Sequence, residues 1–390
     1  MKKIIIVNNN MKIGGVQKSL YNLLWSIDTE NEYDVTLLLF SKTGAYIDKL
    51  PQSVKIVESG GPFRYLGKNQ AEYKSSLKDS LVRGFLAAIS RFLGREYAIK
   101  MMLKRQHKLE CHYDCAIAFL HNGRKQAFYG GVQDYVINCI DADKKIAFLH
   151  CDYNKCGANY PENNSLLEKF DKVAACSDGC RKEFEVSVPK LRDKAVTVRN
   201  CHRYDEIASM AEDNAIIYDS STLNIVVVAR LSHEKGIDRA INAVKYAVEN
   251  GIELKLHVVG GGSMSAELQE LAGDISEHVV FYGEQSNPYK YMKNADLLLL
   301  TSYHEAAPMV IDETRSLGVP ILSTKTTSSQ EMIVEARCGW VCENNQQSLN
   351  ETLGEVLRDI DKLRAMKNKL LASRADNNIA LRQFENLFNG

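Results

Sequence analysis

Continuous runs of Val, Ile and Leu recur along the chain, and the stretches between them carry apolar residues at helical spacing. Strands built from unbroken apolar runs are buried on both faces. That pattern belongs to parallel sheets covered by helices on each side. The first set of predicted strands is Lys3–Val7, Asp34–Phe40, Val54–Val57, Ala116–Leu120, Lys145–His150, Lys172–Ala175 and Ala195–Val198. The second set is Leu223–Val228, Leu254–Val259, Val279–Phe281, Ala295–Leu300, Pro320–Ser323 and Gly339–Val341. Helices are expected over Gln17–Ile27 and Gly236–Glu249, and Leu349–Phe388 reads as helical. The polar stretch Asn200–Leu223 separates the two sets and marks a junction. The expected fold is α/β with two doubly wound domains, 1–205 and 206–370.

Phe63–Glu110 interrupts this alternation. It carries Arg64, Lys68, Lys74, Lys78, Arg83, Arg91, Arg95, Lys100, Lys104, Arg105 and Lys108, interleaved with Phe85, Leu86, Ile89, Phe92 and Leu93. Two readings stand. The segment is a basic amphipathic helix lying on an anionic membrane surface, or a helix that packs on its own domain and solvates its cations.

The length of 390 residues suits about two domains. Lys+Arg and Asp+Glu both number 49, so the net charge gives no case for nucleic-acid binding. Met1–Val7 has two lysines before a short apolar run that ends at Asn8-Asn9-Asn10. The run is too short for a signal peptide and fits a first strand. No segment approaches the roughly 20 apolar residues of a membrane span. Ten scattered cysteines fit reduced thiols in a cytoplasm. The pairs Cys111/Cys115, Cys176/Cys180 and Cys338/Cys342 lack CxxC spacing, and no metal site is expected.

The stretch Thr301–Glu313 is the richest in chemistry. It follows an apolar strand and places Glu305 at the strand's end. Pro308 then stands where a helix would begin, and Glu313 lies inside that helix. Ligands of open α/β sheets bind at the carboxyl ends of strands. The amides near Met309 and Val310, behind Ala307, suit a phosphate. Arg230 and Lys235, after the first strand of the second set, supply a planar fork and a point charge suited to phosphate. Gly14 and Gly15, before the first helix, permit close approach of a ligand. They lack the third glycine of a dinucleotide fingerprint. His150 and Asp152 end a strand of the first set, and His121-Asn122 end another. Gly260 and Gln285 lie in turns after strands of the second set.

Glu305 and Glu313 with the segment between them, Asn287-Pro288-Tyr289, Ala295-Asp296, and Ala229-Arg230-Leu231 followed by Lys235-Gly236 resemble the retaining GT-B glycosyltransferases of family 4. Ala229 stands where that family usually has glycine. The resemblance is firm from Leu223 to Cys342 and looser before Asn200. It implies a GT-B fold, two Rossmann-like domains facing across a cleft, with the last helix, about 371–390, returning to the first. It implies a nucleotide-sugar donor, a UDP-sugar favoured, held by the second domain, and a hexosyl group passed with retention to a glycan or lipid-linked acceptor. Glu305 would sit by the donor sugar and Glu313 on the ribose. Arg230, Lys235 and the amides of Met309 and Val310 would hold the diphosphate without a metal or other cofactor. Gly14 and Gly15 would face the phosphates, with Gly260, Gln285 and Ala307 also around the donor. His150 would lie by the anomeric centre. His121, Asn122 and Asp152 would line the acceptor side. A bacterial surface-polysaccharide or teichoic-acid pathway follows, in the cytoplasm or on the inner face of the cell membrane. An enzyme like UDP-GlcNAc 2-epimerase and a non-catalytic nucleotide-sugar binder are the alternatives.

Overall fold

The structure, a computed structural model, describes residues 1–28, 32–73 and 76–388. Among them the chain forms two compact units, Met1–His202 with Asn377–Gly390, and Arg203–Asp376.

The first unit holds a parallel sheet of β1 (Lys2–Asn8), β2 (Tyr33–Leu39), β3 (Lys55–Glu58), β4 (His112–Ala118), β5 (Asp141–Leu149), β6 (Lys172–Ala175) and β7 (Ala195–Thr197). Its strand order is β3-β2-β1-β4-β5-β6-β7. Successive residues of β1 feed opposite cores. Ile5 and Val7 join one apolar cluster, and Ile4 and Ile6 join the other. Burying each such side chain stabilises the fold by roughly 1.5–3 kcal/mol before entropy is counted. The helix Gly15–Asp28 places Leu20, Leu23, Leu24 and Ile27 on the second of these faces. The spacing is that of an amphipathic helix.

The second unit holds β8 (Leu223–Val228), β9 (Leu254–Val259), β10 (Val279–Gly283), β11 (Leu297–Leu300), β12 (Ile321–Thr324) and β13 (Gly339–Cys342), in the order β10-β9-β8-β11-β12-β13. Ile225 and Val227 face one core while Val226 faces the other. In both sheets the order reverses once, between β1 and β4 and between β8 and β11. These switch points open the crevice where α/β sheets take ligands.

Three expectations shift. The polar junction Asn200–Leu223 contains a helix, Tyr204–Glu212, whose Ile207 and Ala211 enter a core of the second unit. The chain returns to the first unit at Asn377, later than 371, because helix Ile360–Leu371 still buries Leu363 and Leu370 in the second. Asn377 secures that return. Its amide accepts from His202 N at 2.9 Å and donates to His202 O at 2.8 Å, and Ala380, Phe384 and Leu387 then join the core beside β1.

The basic segment is the third. It forms helices Leu77–Leu93 and Arg95–Leu103, broken at Gly94, where φ is +100°. Leu86, Ile99 and Met102 are buried and Ile89 packs against the same core, so Leu86 and Ile89 do not belong to an outward face. Arg95 is not a surface cation either. It is buried, with its guanidinium 2.5 Å from Asp134 Oδ2. Burial opposes that charge, but Asp134 and Tyr160 together more than offset it and the pKa is raised. The outward apolar residues of these helices are Leu77, Leu81, Phe85, Phe92, Leu93, Tyr97 and Met101. Lys74 lies outside the described residues. Among the described residues no helix is long and apolar enough to cross a membrane.

Candidate active site

The second switch point brings the loop after β8 against the loop after β11. Lys235 Nζ lies 2.6 Å from Glu305 Oε1, with side chains 22% and 10% exposed. Ser302 Oγ donates to the same oxygen at 2.7 Å. Both donors take Oε1, so the carboxylate is anchored on one side. Thr301 Oγ1 donates to Gly236 O at 2.7 Å and Tyr303 N to Glu234 O at 3.0 Å, which stitches the two loops together. Gly236 has φ +60°, and a Cβ there would stand 2.4 Å from Thr301 O, so the close approach requires glycine.

A second layer supports this pair. Arg239, buried, donates to Thr301 O at 3.2 Å and to Asn344 Oδ1 at 2.7 Å. Asn344 Nδ2 donates to Tyr303 O at 3.2 Å and Lys325 O at 2.9 Å. The Arg239 guanidinium also lies over the Tyr303 ring at 4.7 Å. Sequence reasoning missed Arg239, Asn344 and Ser302. Arg239 left a signal, because a charge stands among the buried residues Ile237, Ala240 and Ala243. Asn344 left none.

The structure does not gather every expected residue as tightly. Arg230 is 72% exposed on its side chain and reaches only to 3.8 Å from Glu234 Oε1. Glu313 is buried, 4% exposed, within helix Met309–Ser316. Pro308 is the cap of that helix, in extended conformation (ψ 119°), rather than its first residue. Met309 and Val310 open the helix half-buried, and Ala307 precedes it. Gly260 adopts φ +149° against Ala229. The Gln285 side chain donates to Tyr282 O at 2.7 Å, within its own turn.

In the first unit the residues after β1, β4 and β5 come together at the carboxyl edge. Gly15 starts a helix, and a Cβ there would meet nothing within 4 Å. The fold itself therefore makes no demand for glycine at that place. His150 lies against Phe119, ring centroids 4.6 Å apart, and its buried Nε2 has no hydrogen-bond partner. Burial, assisted by the nearby His121, pushes its pKa down to about 3, so the imidazole is neutral. Burial likewise lowers His121 to about 4.

Asn122 and Asp152 are committed inside the fold. Asn122 Oδ1 accepts from Arg95 Nη2 at 3.1 Å and Gly131 N at 2.9 Å, and its Nδ2 donates to Asn163 Oδ1 at 2.9 Å. Asp152 is buried, and its Oδ1 accepts from Lys155 N at 3.1 Å. Asn122 is thus a structural hub of the first unit.

Comparison with known proteins fits this arrangement. Residues 214–370 match the family model described as Glycosyl transferases group 1. The second unit is a group 1 glycosyl transferase domain, and the two parallel-sheet Rossmann-like units make the fold GT-B. The lipopolysaccharide glucosyltransferase WaaG of Escherichia coli is 32% identical over 127 residues, 32% of this chain and 34% of WaaG. The N-acetylgalactosamine-N,N'-diacetylbacillosaminyl-diphospho-undecaprenol 4-alpha-N-acetylgalactosaminyltransferase of Campylobacter jejuni is 28% identical over 220 residues, 53% of this chain and 58% of that protein. The match thus spans less than two-thirds of either relative. The crystal structure of Anabaena Alr3699/HepE in complex with UDP-glucose superposes with a TM-score of 0.66 at 17% identity, covering 99% of each chain.

Proposed function

We propose that this protein is a retaining glycosyltransferase. It moves a hexosyl group from a nucleotide-diphosphate sugar, a UDP-sugar by preference, to a hydroxyl of a glycan or lipid-linked acceptor in bacterial surface-polysaccharide or teichoic-acid synthesis. The observation that carries the reading is the Lys235–Glu305 pair at the β8/β11 switch point, next to a helix that buries Glu313. Relatives add support. WaaG is named for glucosyl transfer to lipopolysaccharide, the Campylobacter protein for transfer to a diphospho-undecaprenol glycan, and HepE was crystallised with UDP-glucose.

In this reading Glu305 contacts the donor sugar and Glu313 the ribose. The diphosphate gains negative charge as the glycosidic bond breaks. Lys235, Arg230 and the amides of Met309 and Val310 stabilise that charge more in the transition state than in the ground state. Arg230 has only a loose 3.8 Å ion pair with Glu234 to leave before it turns to a phosphate. These groups carry the role a metal would otherwise fill, so transfer proceeds without one. Gly14, Gly15, His121 and the neutral His150 are the first unit's contribution. An imidazole held neutral can orient a hydroxyl by hydrogen bonding.

The test is incubation with α-linked UDP- and GDP-sugars, with product anomers followed by NMR. Slow release of sugar that appears first as the α anomer is expected, and it should survive EDTA. A β product, an epimerised nucleotide-sugar or no turnover with either donor class would refute the reading. A second part of the proposal concerns the outward face with Leu77, Leu81, Phe85 and Phe92, flanked by Lys78, Arg91 and Lys100. Such a face fits peripheral binding to an anionic membrane from the cytoplasmic side, each basic residue adding about 1 kcal/mol. Co-sedimentation with anionic but not neutral vesicles, lost in Phe85→Glu, is expected. Indifference to anionic vesicles at low salt would leave the face an ordinary surface.

A further inference from the structure

The ends of β4 and β5 carry one cluster whose two cysteines have no part in the transfer reading, and which also holds His121. His121 follows β4, Cys151 follows β5, and Cys156 lies on the turn beyond it. One ring nitrogen of His121 and the two sulfurs all lie within 4.8 Å of one another. The Cys156 and Cys151 sulfurs are 2.9 Å apart. The turn that presents Cys156 is held by its own backbone, with Cys156 N bonded to Asp152 O at 2.9 Å and Gly157 N to Asn154 O at 2.9 Å. His121 Nδ1 is buried and has no hydrogen-bond partner, although an imidazole nitrogen shut away from water ordinarily takes one.

We infer that His121, Cys151 and Cys156 form a binding site for a thiophilic divalent cation, with Zn²⁺ the ion whose chemistry fits. Two sulfurs and an imidazole select a soft or borderline metal over Mg²⁺ or Ca²⁺, which take oxygen ligands. Zn–S bonds of about 2.3 Å at a tetrahedral angle set two sulfurs about 3.8 Å apart. The pair therefore opens by about 1 Å on binding, within reach of a side-chain rotation. The protonation states favour the same ligand set. Burial keeps His121 neutral. The Cys156 thiol is lowered by its hydrogen bond with Cys151, while burial raises Cys151. Binding the cation releases the thiol protons to solvent, so affinity rises with pH. Three protein ligands leave the fourth position for water or another small donor. The cation is no part of the donor chemistry proposed for the second unit, and the site stands or falls independently of that chemistry.

The spacing of the cysteines hid this site. Cys151 and Cys156 are five apart, outside the short CxxC pattern, and the third ligand comes from a different strand.

Cobalt is the probe. Reduced full-length protein titrated anaerobically with Co²⁺ should bind one equivalent, with thiolate-to-cobalt charge transfer in the near ultraviolet and the visible bands of tetrahedral cobalt. Zn²⁺ should displace it. Cys156→Ser should abolish the charge transfer, and His121→Gln should weaken binding at least tenfold while keeping some of it. A second measurement needs no variant. Zn²⁺ should protect Cys151 and Cys156, but not Cys111, from alkylation read by peptide mass spectrometry. Absence of charge transfer, cobalt spectra unchanged in Cys156→Ser, or unprotected Cys156 would overturn the inference. So would a Cys151–Cys156 disulfide that persists under reducing conditions.

Discussion

Replacing Lys235 by Ala removes the ammonium that lies 2.6 Å from Glu305 Oε1. That oxygen then keeps only the Ser302 hydroxyl at 2.7 Å among the contacts described above. A hydrogen bond to a charged group contributes about 1.5–3 kcal/mol. Lys235 retains solvent contact, so screening places the stability loss near the lower end, about 1.5 kcal/mol. The loss falls on the second unit. Trp340 lies there and the only other tryptophan, Trp25, lies in the first, so denaturant unfolding of a Trp25→Phe background reads it directly. Catalysis should suffer more. Removing one group that stabilises a developing anion costs about 2.7–4 kcal/mol, or 10²–10³ in kcat. UDP affinity, measured by calorimetry, should fall less than tenfold, because the ground-state diphosphate carries less of the new charge. Equal losses in kcat and UDP affinity would make Lys235 a uniform binder. An unchanged kcat would remove it from the reaction.

Glu313→Ala should weaken UDP binding by about 1.5–3 kcal/mol through loss of a buried carboxylate acceptor, and unchanged calorimetric affinity would exclude it from the site. Gly15→Ala separates fold from function. A methyl group there meets nothing within 4 Å, so thermal stability should hold or rise while donor affinity falls; a loss of stability without a change in affinity would contradict this. His121 and His150 have folded pKa values pushed down to about 4 and about 3. The unfolded chain takes up those protons near pH 6.5 and the folded chain does not. Stability of the first unit is therefore intact above about pH 6.5 and falls toward pH 4, by up to about 1.4 kcal/mol per pH unit per histidine. Trp25-detected unfolding between pH 7 and 5 should show the slope, and His150→Gln should reduce it; equal slopes would place the titration elsewhere.

The strands were legible because a doubly covered parallel strand declares itself locally. Each of the thirteen apolar runs corresponds to an observed strand within a few residues. What could not be read was the direction in which the basic segment faces. Leu86 and Phe85 are neighbours of equal apolarity, yet one is buried and the other exposed. Arg95 looked like a surface cation because its partner, Asp134, sits on another helix, Val132–Cys139. Local pattern gives the period of a helix, and only tertiary packing gives its phase.

The site shows the same division between local and distant information. Glu305, Glu313, Arg230 and Lys235 announce themselves by residue type at strand ends, which is a local signal. The support from Arg239 and Asn344 joins positions over 100 apart in sequence, and nothing local encodes it. Ala229 illustrates how such distant contacts settle a local oddity. The family's glycine at that place suggests a demand for close backbone approach, and Ala229 looks like a violation. In this fold the loops after β8 and β9 do approach closely, with Leu231 N bonded to Gly261 O at 2.9 Å. The glycines that permit it are on the other loop. A Cβ at Gly260 would fall 1.8 Å from Ala229 O, and one at Gly262 would fall 2.2 Å from Leu231 O. Ala229 meanwhile packs its methyl against the apolar core beside β8. The steric requirement is therefore met from β9, and the alanine leaves the path of Arg230 and Lys235 undisturbed.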